Sequence, residues 1–181
     1  MQALSRFGGH NVAARMANQI TIPSWGYMIE TIGTTFWESF DAYEKGKPVI
    51  LSLNHWPWSS IGEWLWSFVA GIALDENQPG AGGVIIHPRP VAEVVWCRGR
   101  ITTSRGPVQA HWRRHPHAFT LEIEIPPNCQ ATIKLPVSPT WTILEGGRSV
   151  VHNPEVTLLR SNKRERVLSV ASGKYAFECR P

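Results

Sequence analysis

This chain contains no apolar run long enough to cross a bilayer. Its most apolar stretch, Ile61 to Leu74, is shorter than the ~20 residues a spanning helix needs and is interrupted by Glu63. The N-terminus has no basic region, long apolar run or small-residue cleavage site, so no signal peptide is expected there. Cysteine is scarce. Cys97, Cys129 and Cys179 stand far apart, without the close pairs that mark zinc sites, and read as ordinary thiols. Charged residues make up only 18% of the 181 positions against 43% apolar, a balance that excludes a disordered polyelectrolyte and suits one globular domain or two small ones.

Charge is unevenly placed. Residues 1–80 carry four basic and seven acidic side chains, and residues 81–181 carry fourteen and seven, so the net charges are −3 and +7. A basic second half raises the question of nucleic acid. Its positive residues are spread along the segment, however, apart from Arg113-Arg114 and the Lys163-Arg164-Glu165-Arg166 turn, and no recognised binding motif accompanies them. Solvated strand faces and a charged hairpin tip explain them better, and no nucleic-acid partner is expected.

Two hydrophobic periods share the chain. Residues 1–82 read as helical and residues 83–181 as strands, with Pro79-Gly80-Ala81-Gly82-Gly83 as the break. Leu4 and Phe7 lie at helical spacing in a first helix that Gly8-Gly9 should terminate. A second helix is expected from an Asn11 cap, with Ala13, Met16, Ala17 and Ile20 on one face, stopping before Pro23. A third is expected from Ser60, where the hydroxyl and Glu63 could form a capping box. Its stripe of Ile61, Trp64, Leu65, Phe68, Val69 and Ile72 needs neighbours on most sides. Three helices are too few to cover it, which implies further helices on a missing N-terminal part or a partner.

Beyond Pro90 the period becomes two, clearest where Phe119, Leu121, Ile123 and Ile125 alternate with Thr120, Glu122 and Glu124. Strands are also expected over Val91–Thr103, Val108–Arg113, Ala131–Val137, Thr142–Leu144, Val167–Ala171 and Lys174–Cys179. Seven to eight short strands imply an antiparallel β-sandwich such as a jelly roll, making the whole an α+β chain in two parts.

Six of the nine tryptophans fall between Trp25 and Trp66, amid two runs dense in polar and aromatic groups: Thr34-Thr35-Phe36-Trp37-Glu38 and Asn54-His55-Trp56-Pro57-Trp58. Indole faces meet the axial C–H groups of a pyranose, while Glu, His and Asn fix its hydroxyls, so this is a candidate sugar site. Six tryptophans in an apolar region can equally build a core.

The order of the short runs decides between them. Pro23-Ser24-Trp25-Gly26-Tyr27-Met28, Gly33-Thr34-Thr35-Phe36-Trp37-Glu38, Ser52-Leu53-Asn54-His55, Gly62-Glu63-Trp64-Leu65 and Ile85-Ile86-His87-Pro88-Arg89-Pro90 together resemble the C-terminal end of bacterial α-L-rhamnosidases. These are inverting glycoside hydrolases with a six-hairpin (α/α)6 barrel followed by a β-sandwich. The resemblance implies the last barrel helices, Glu38 as general base and His55 as a sugar contact, with Trp25 and Trp37 nearest the sugar and Trp56 next. Position 56 is often tyrosine in the family. Trp58 and Trp64 are left to packing. Rhamnose-containing glycosides are the implied partners, and no metal or organic cofactor is implied. The family's general acid lies upstream of the region matched, so the chain alone is expected not to hydrolyse rhamnosides. His111, His115 and His117 have no Asp or Glu among them and Pro116 breaks their geometry, so no metal site is expected. Gly146-Gly147 reads as a turn.

Overall fold

The computed structural model describes all residues except 32, 45–46, 50–51, 92–93 and 164. The chain divides into two compact units, Met1–Leu65 and Trp66–Pro181.

In the first unit, short helices α1 (Gln2–Arg6), α2 (His10–Asn18) and α3 (Trp25–Thr31) precede a two-stranded hairpin of β1 (Tyr43–Glu44) and β2 (Lys47–Pro48), a 3-10 turn at Pro57–Ser60 and α4 (Ile61–Trp64). Gly8, with φ of +88°, ends the first helix as expected, because a side chain is strained in that left-handed turn. Helix α2 begins two residues earlier than the Asn11 cap predicted. Gly9 is its N-cap, and Ala13 and Ala14 are its buried positions, while Met16 and Ile20 face outward. Ser24 caps α3, its hydroxyl accepting from the Tyr27 amide at 2.9 Å. The capping box at Ser60 does not form. Ser60 already has helical backbone angles and donates back to the Pro57 carbonyl at 3.3 Å, and Glu63 instead accepts from the Gln2 amide at 2.6 Å. Trp64 packs, as expected, with its indole N–H on Ser5 Oγ at 2.8 Å and its ring 5.5 Å from that of His10.

A π-helical turn at Leu65–Ala70 begins on the last residue of the first unit and runs into the second, and the chain then leaves helical geometry at Gly71, where φ is +77°. A Cβ there would come within 2.2 Å of the Pro88 nitrogen, so only glycine can make the turn. Ile72, expected on the helix stripe, therefore begins strand β3 (Ile72–Leu74) and pairs with Ile86 of β4 (Gly83–Ile86). Strands β5 (Trp96–Thr103), β6 (Gly106–His115), β7 (Ala118–Ile125), β8 (Gln130–Leu135), β9 (Thr142–Glu145), β10 (Arg148–Ser149), β11 (Val156–Ser161), β12 (Arg166–Val170) and β13 (Gly173–Arg180) follow.

They form a six-stranded sheet in the order β10-β9-β13-β7-β6-β5 and a five-stranded sheet in the order β11-β12-β8-β4-β3. Every ladder between these strands is antiparallel except β4 with β8. The fold is the expected antiparallel-rich sandwich with more strands than periodicity revealed. Alternation fixes the inner face of the larger sheet: Val108, Ala110 and Trp112 on β6, Leu121, Ile123 and Ile125 on β7, and Phe177 and Cys179 on β13 are buried. The smaller sheet contributes Val84, Ile86, Ala131, Ile133, Leu135 and Leu168. Gly146-Gly147 forms the expected turn, both residues with positive φ. One charge departs from the reading of a solvated hairpin tip. Arg166 is buried, and its guanidinium donates to the carbonyls of Pro139 and Trp141 at 2.9 and 3.3 Å.

Candidate functional site

The polar-aromatic runs of the first unit are sequence neighbours of loops, yet the backbone ties them into one place. The His55 amide donates to the Phe36 carbonyl at 2.6 Å, and the Glu38 amide donates to the Ser52 carbonyl at 3.1 Å. The Thr35 hydroxyl donates to the Leu53 carbonyl. Residues 35–38 and 52–55 thus run side by side in opposite directions, so the residues bearing a carboxylate and an imidazole lie on adjacent strands of chain.

Two indoles brace this pairing. Trp25, at the start of α3, donates its N–H to the Trp58 carbonyl at 3.0 Å, and Trp58 donates its own to the Glu38 carbonyl at 3.3 Å. The rings of Trp25 and Trp58 meet edge to face at 6.4 Å, and Phe40 contacts both. Each hydrogen bond engages backbone or indole only, which leaves the Glu38 carboxylate uninvolved in the framework. That carboxylate is exposed. The nearby Thr35 hydroxyl is committed to the Leu53 carbonyl.

The other expected sugar contacts divide sharply. Trp56 is 80% exposed, its plane within 20° of that of the His55 ring at 6.4 Å between centroids. His55 is half-buried, and its Nδ1 is buried without a hydrogen-bond partner among the described residues. A buried imidazole nitrogen without a partner carries a desolvation cost that a ligand hydroxyl or a water can relieve. Trp25 is half-buried. Trp37, expected beside the sugar, is only 1% exposed: it stacks on Tyr43 at 5.1 Å, meets Tyr27 edge-on, and with Met28 and Ala42 forms the core of this unit. Its place in the sequence beside Glu38 marked it, but a strand-like segment turns neighbouring side chains to opposite sides. Trp58, left to packing by the sequence, supplies a positioning hydrogen bond that spacing alone did not reveal.

Among the described residues no group of three or more His, Cys, Asp or Glu side chains could hold a metal ion, and no helix is long and apolar enough to span a membrane. His111 lies on β6 beside Glu122, while His115 ends β6 and His117 lies in the turn that joins β6 to β7.

Two family models match consecutive stretches of the chain: the bacterial alpha-L-rhamnosidase 6 hairpin glycosidase domain over residues 1–69, and the bacterial alpha-L-rhamnosidase C-terminal domain over residues 71–149. An alpha-L-rhamnosidase of Streptomyces avermitilis is 33% identical over 98% of this chain and 17% of its own length. The solved structure of that organism's enzyme complexed with L-rhamnose superposes with a TM-score of 0.84 at 32% identity, over 97% of this chain and 16% of that one. The alpha-L-rhamnosidase from Dictyoglumus thermophilum superposes with a TM-score of 0.87 at 28% identity, over 99% of this chain and 20% of that one. The chain thus spans between 17% and 20% of the first curated relatives it matches.

Proposed function

Because this chain belongs to the bacterial α-L-rhamnosidase family, corresponding to its C-terminal part, we propose that residues 1–65 carry one side of the catalytic centre of an inverting glycosidase acting on terminal α-L-rhamnose. Glu38 is the general base. In inversion a carboxylate draws a proton from water as that water attacks the anomeric carbon, while a second carboxyl group across the sugar protonates the leaving oxygen. The two stand ~6.5–9.5 Å apart to admit the water. The observation that carries this reading is the pairing of residues 35–38 with 52–55, which supports Glu38 and His55 acting on one ring. His55 Nδ1, buried and unpartnered, would meet a sugar hydroxyl. Trp56 offers an open indole face, and Trp25 is half-buried against Trp58 and Phe40. Trp37 acts from beneath, holding the Glu38 segment against Tyr43.

By family resemblance the general acid belongs to a separate N-terminal portion, so the 181-residue chain by itself should not turn over. The test is nitrophenol release from a nitrophenyl α-L-rhamnoside, with Glu38→Gln alongside. We expect no release from either protein, and weak L-rhamnose binding that His55→Ala removes. Release that Glu38→Gln abolishes would place an acid within these residues and overturn the half-site reading.

A specific observation favours a second, compatible reading, in which the first unit completes a separate N-terminal portion by assembly. Phe7 is 91% and Ile29 70% exposed, and Met16, Ile20 and Ile22 are exposed with them. An unfilled interface would leave apolar groups open in this way.

A further inference from the structure

The outer face of the six-stranded sheet carries a depression of about 450 Å³, built wholly within the second unit and unused by the reading above. Side chains from two ladder rows line it. In one, Arg98 of β5, His111 of β6 and Glu122 of β7 are successive cross-strand partners; in the other, Gln109 of β6, Glu124 of β7 and Lys174 of β13 are. Glu145 closes one side. Trp96, at the start of β5 and 54% exposed, stands edge-on to the His111 ring at 6.3 Å.

A polar outer face is the default for a sandwich strand, and that accounts for the residue types. It does not account for the concavity, or for an open indole set against His111 at its margin. The chemistry of the lining narrows what could sit there. The charges oppose and partly satisfy one another, Glu122 lying 3.6 Å from His111 and Glu124 lying 3.7 Å from Lys174 and 2.5 Å from Gln109. An anion would meet three carboxylates. A metal ion would find no cluster of three ligands among the described residues. A wholly apolar molecule would cover Ala110, Ile123, Tyr175 and Ala176 but strand the charged groups around them, whose desolvation would go uncompensated. A neutral polyol suits all of it: carboxylates accept from adjacent hydroxyls, Arg98, Gln109 and Lys174 donate, and an indole takes the C–H face of the ring. The volume falls within the ~300–1,000 Å³ range of small-molecule sites.

We propose that this depression is a second saccharide-binding site, separate from the Glu38 region, that holds a neutral pyranoside unit without cleaving it. Glu122, 71% exposed on its side chain, is the principal acceptor and Trp96 the stacking wall. Choosing a rhamnoside as first probe rests on the function proposed above; the site itself does not.

The experiment is a backbone amide NMR titration of the full 181-residue chain with methyl α-L-rhamnopyranoside, and separately with methyl β-D-glucopyranoside. We expect shifts on β6, β7 and β13 with millimolar affinity for at least one probe, weakened about tenfold or more by Trp96→Ala and by Glu122→Gln and unchanged by Glu38→Gln. The near-isosteric Glu122→Gln guards against misfolding, since its spectrum should retain strand dispersion. No shift on these strands with either probe, shifts confined to residues 25–58, or shifts insensitive to both sheet variants would overturn the proposal. Binding of the glucoside alone at the sheet would keep it while counting against rhamnose as the shared sugar.

Discussion

Trp112 and Trp56 are the same side chain under opposite conditions. Trp112 has no exposed surface, donates its N–H to the Val69 carbonyl at 2.8 Å and stacks on Phe119, whereas Trp56 is almost wholly open and rests loosely against His55. The difference holds for their surroundings. The sandwich buries the inner positions of its strands between two sheets that it supplies itself, while the first unit gathers a small cluster around Met28, Trp37 and Ala42 and leaves Phe7, Ile20 and Ile29 to water. Strands that carry their own second layer make a finished core; short helices with one layer do not.

Breaking the sandwich should cost most. Trp112→Ala removes a fully buried indole and its hydrogen bond, and chemical denaturation should show a loss of about 3–5 kcal/mol in the second unit. Alkaline titration should come next. Burial pushes the Cys179 thiol up to about 12, with Cys97 and Tyr175 also raised by desolvation. The unfolded chain ionises a free thiol near ~8.5. The stability that the neutral buried thiol contributes is therefore complete below that value and is lost as pH climbs toward about 12, with a slope approaching ~1.4 kcal/mol per pH unit. Cys179→Ala should flatten that alkaline decline, measured by urea midpoints from about pH 9 to about pH 11, within the span between the two pKa limits. In the first unit Trp64→Phe should cost about 1 kcal/mol, the hydrogen bond to Ser5, read as faster amide exchange in α1. The smallest effect belongs to the open face. Phe7→Ser with Ile29→Ser should change stability by less than about 0.5 kcal/mol while lowering dye binding to exposed apolar surface. A large loss there would mean those side chains already have partners, and the contrast between the units would fail.

What the sequence revealed follows the same division. Period-two alternation located β5 to β9, β12 and β13, because a strand with one buried face writes its own pattern. It missed β11, whose residues after Val156 are exposed, and β3, whose apolar residues also fit the helical stripe through Ile72. Gly71 was the available signal for that break: a positive-φ turn forces the change, yet φ is not visible from composition. In the first unit, the short motifs singled out Glu38 and His55 as candidates, but neither the pairing of their segments nor the sense of each side chain. Trp37 lies buried and Trp58 became the brace because antiparallel pairing, a long-range fact, decides which way each indole points.

The single parallel ladder has a temporal meaning. Strand β4 is made early, yet its partner β8 begins at Gln130, after three longer strands of the opposite sheet. On a ribosome the β3–β4 hairpin must therefore wait, its apolar Val84 and Ile86 presented along an unpaired edge until β8 emerges, and β11 and β12 can only dock after that. The smaller sheet is thus assembled outward from a strand near the middle of the chain's second unit, and a pause in translation between Ile86 and Gln130 would lengthen the interval in which a nascent copy can pair with its neighbour.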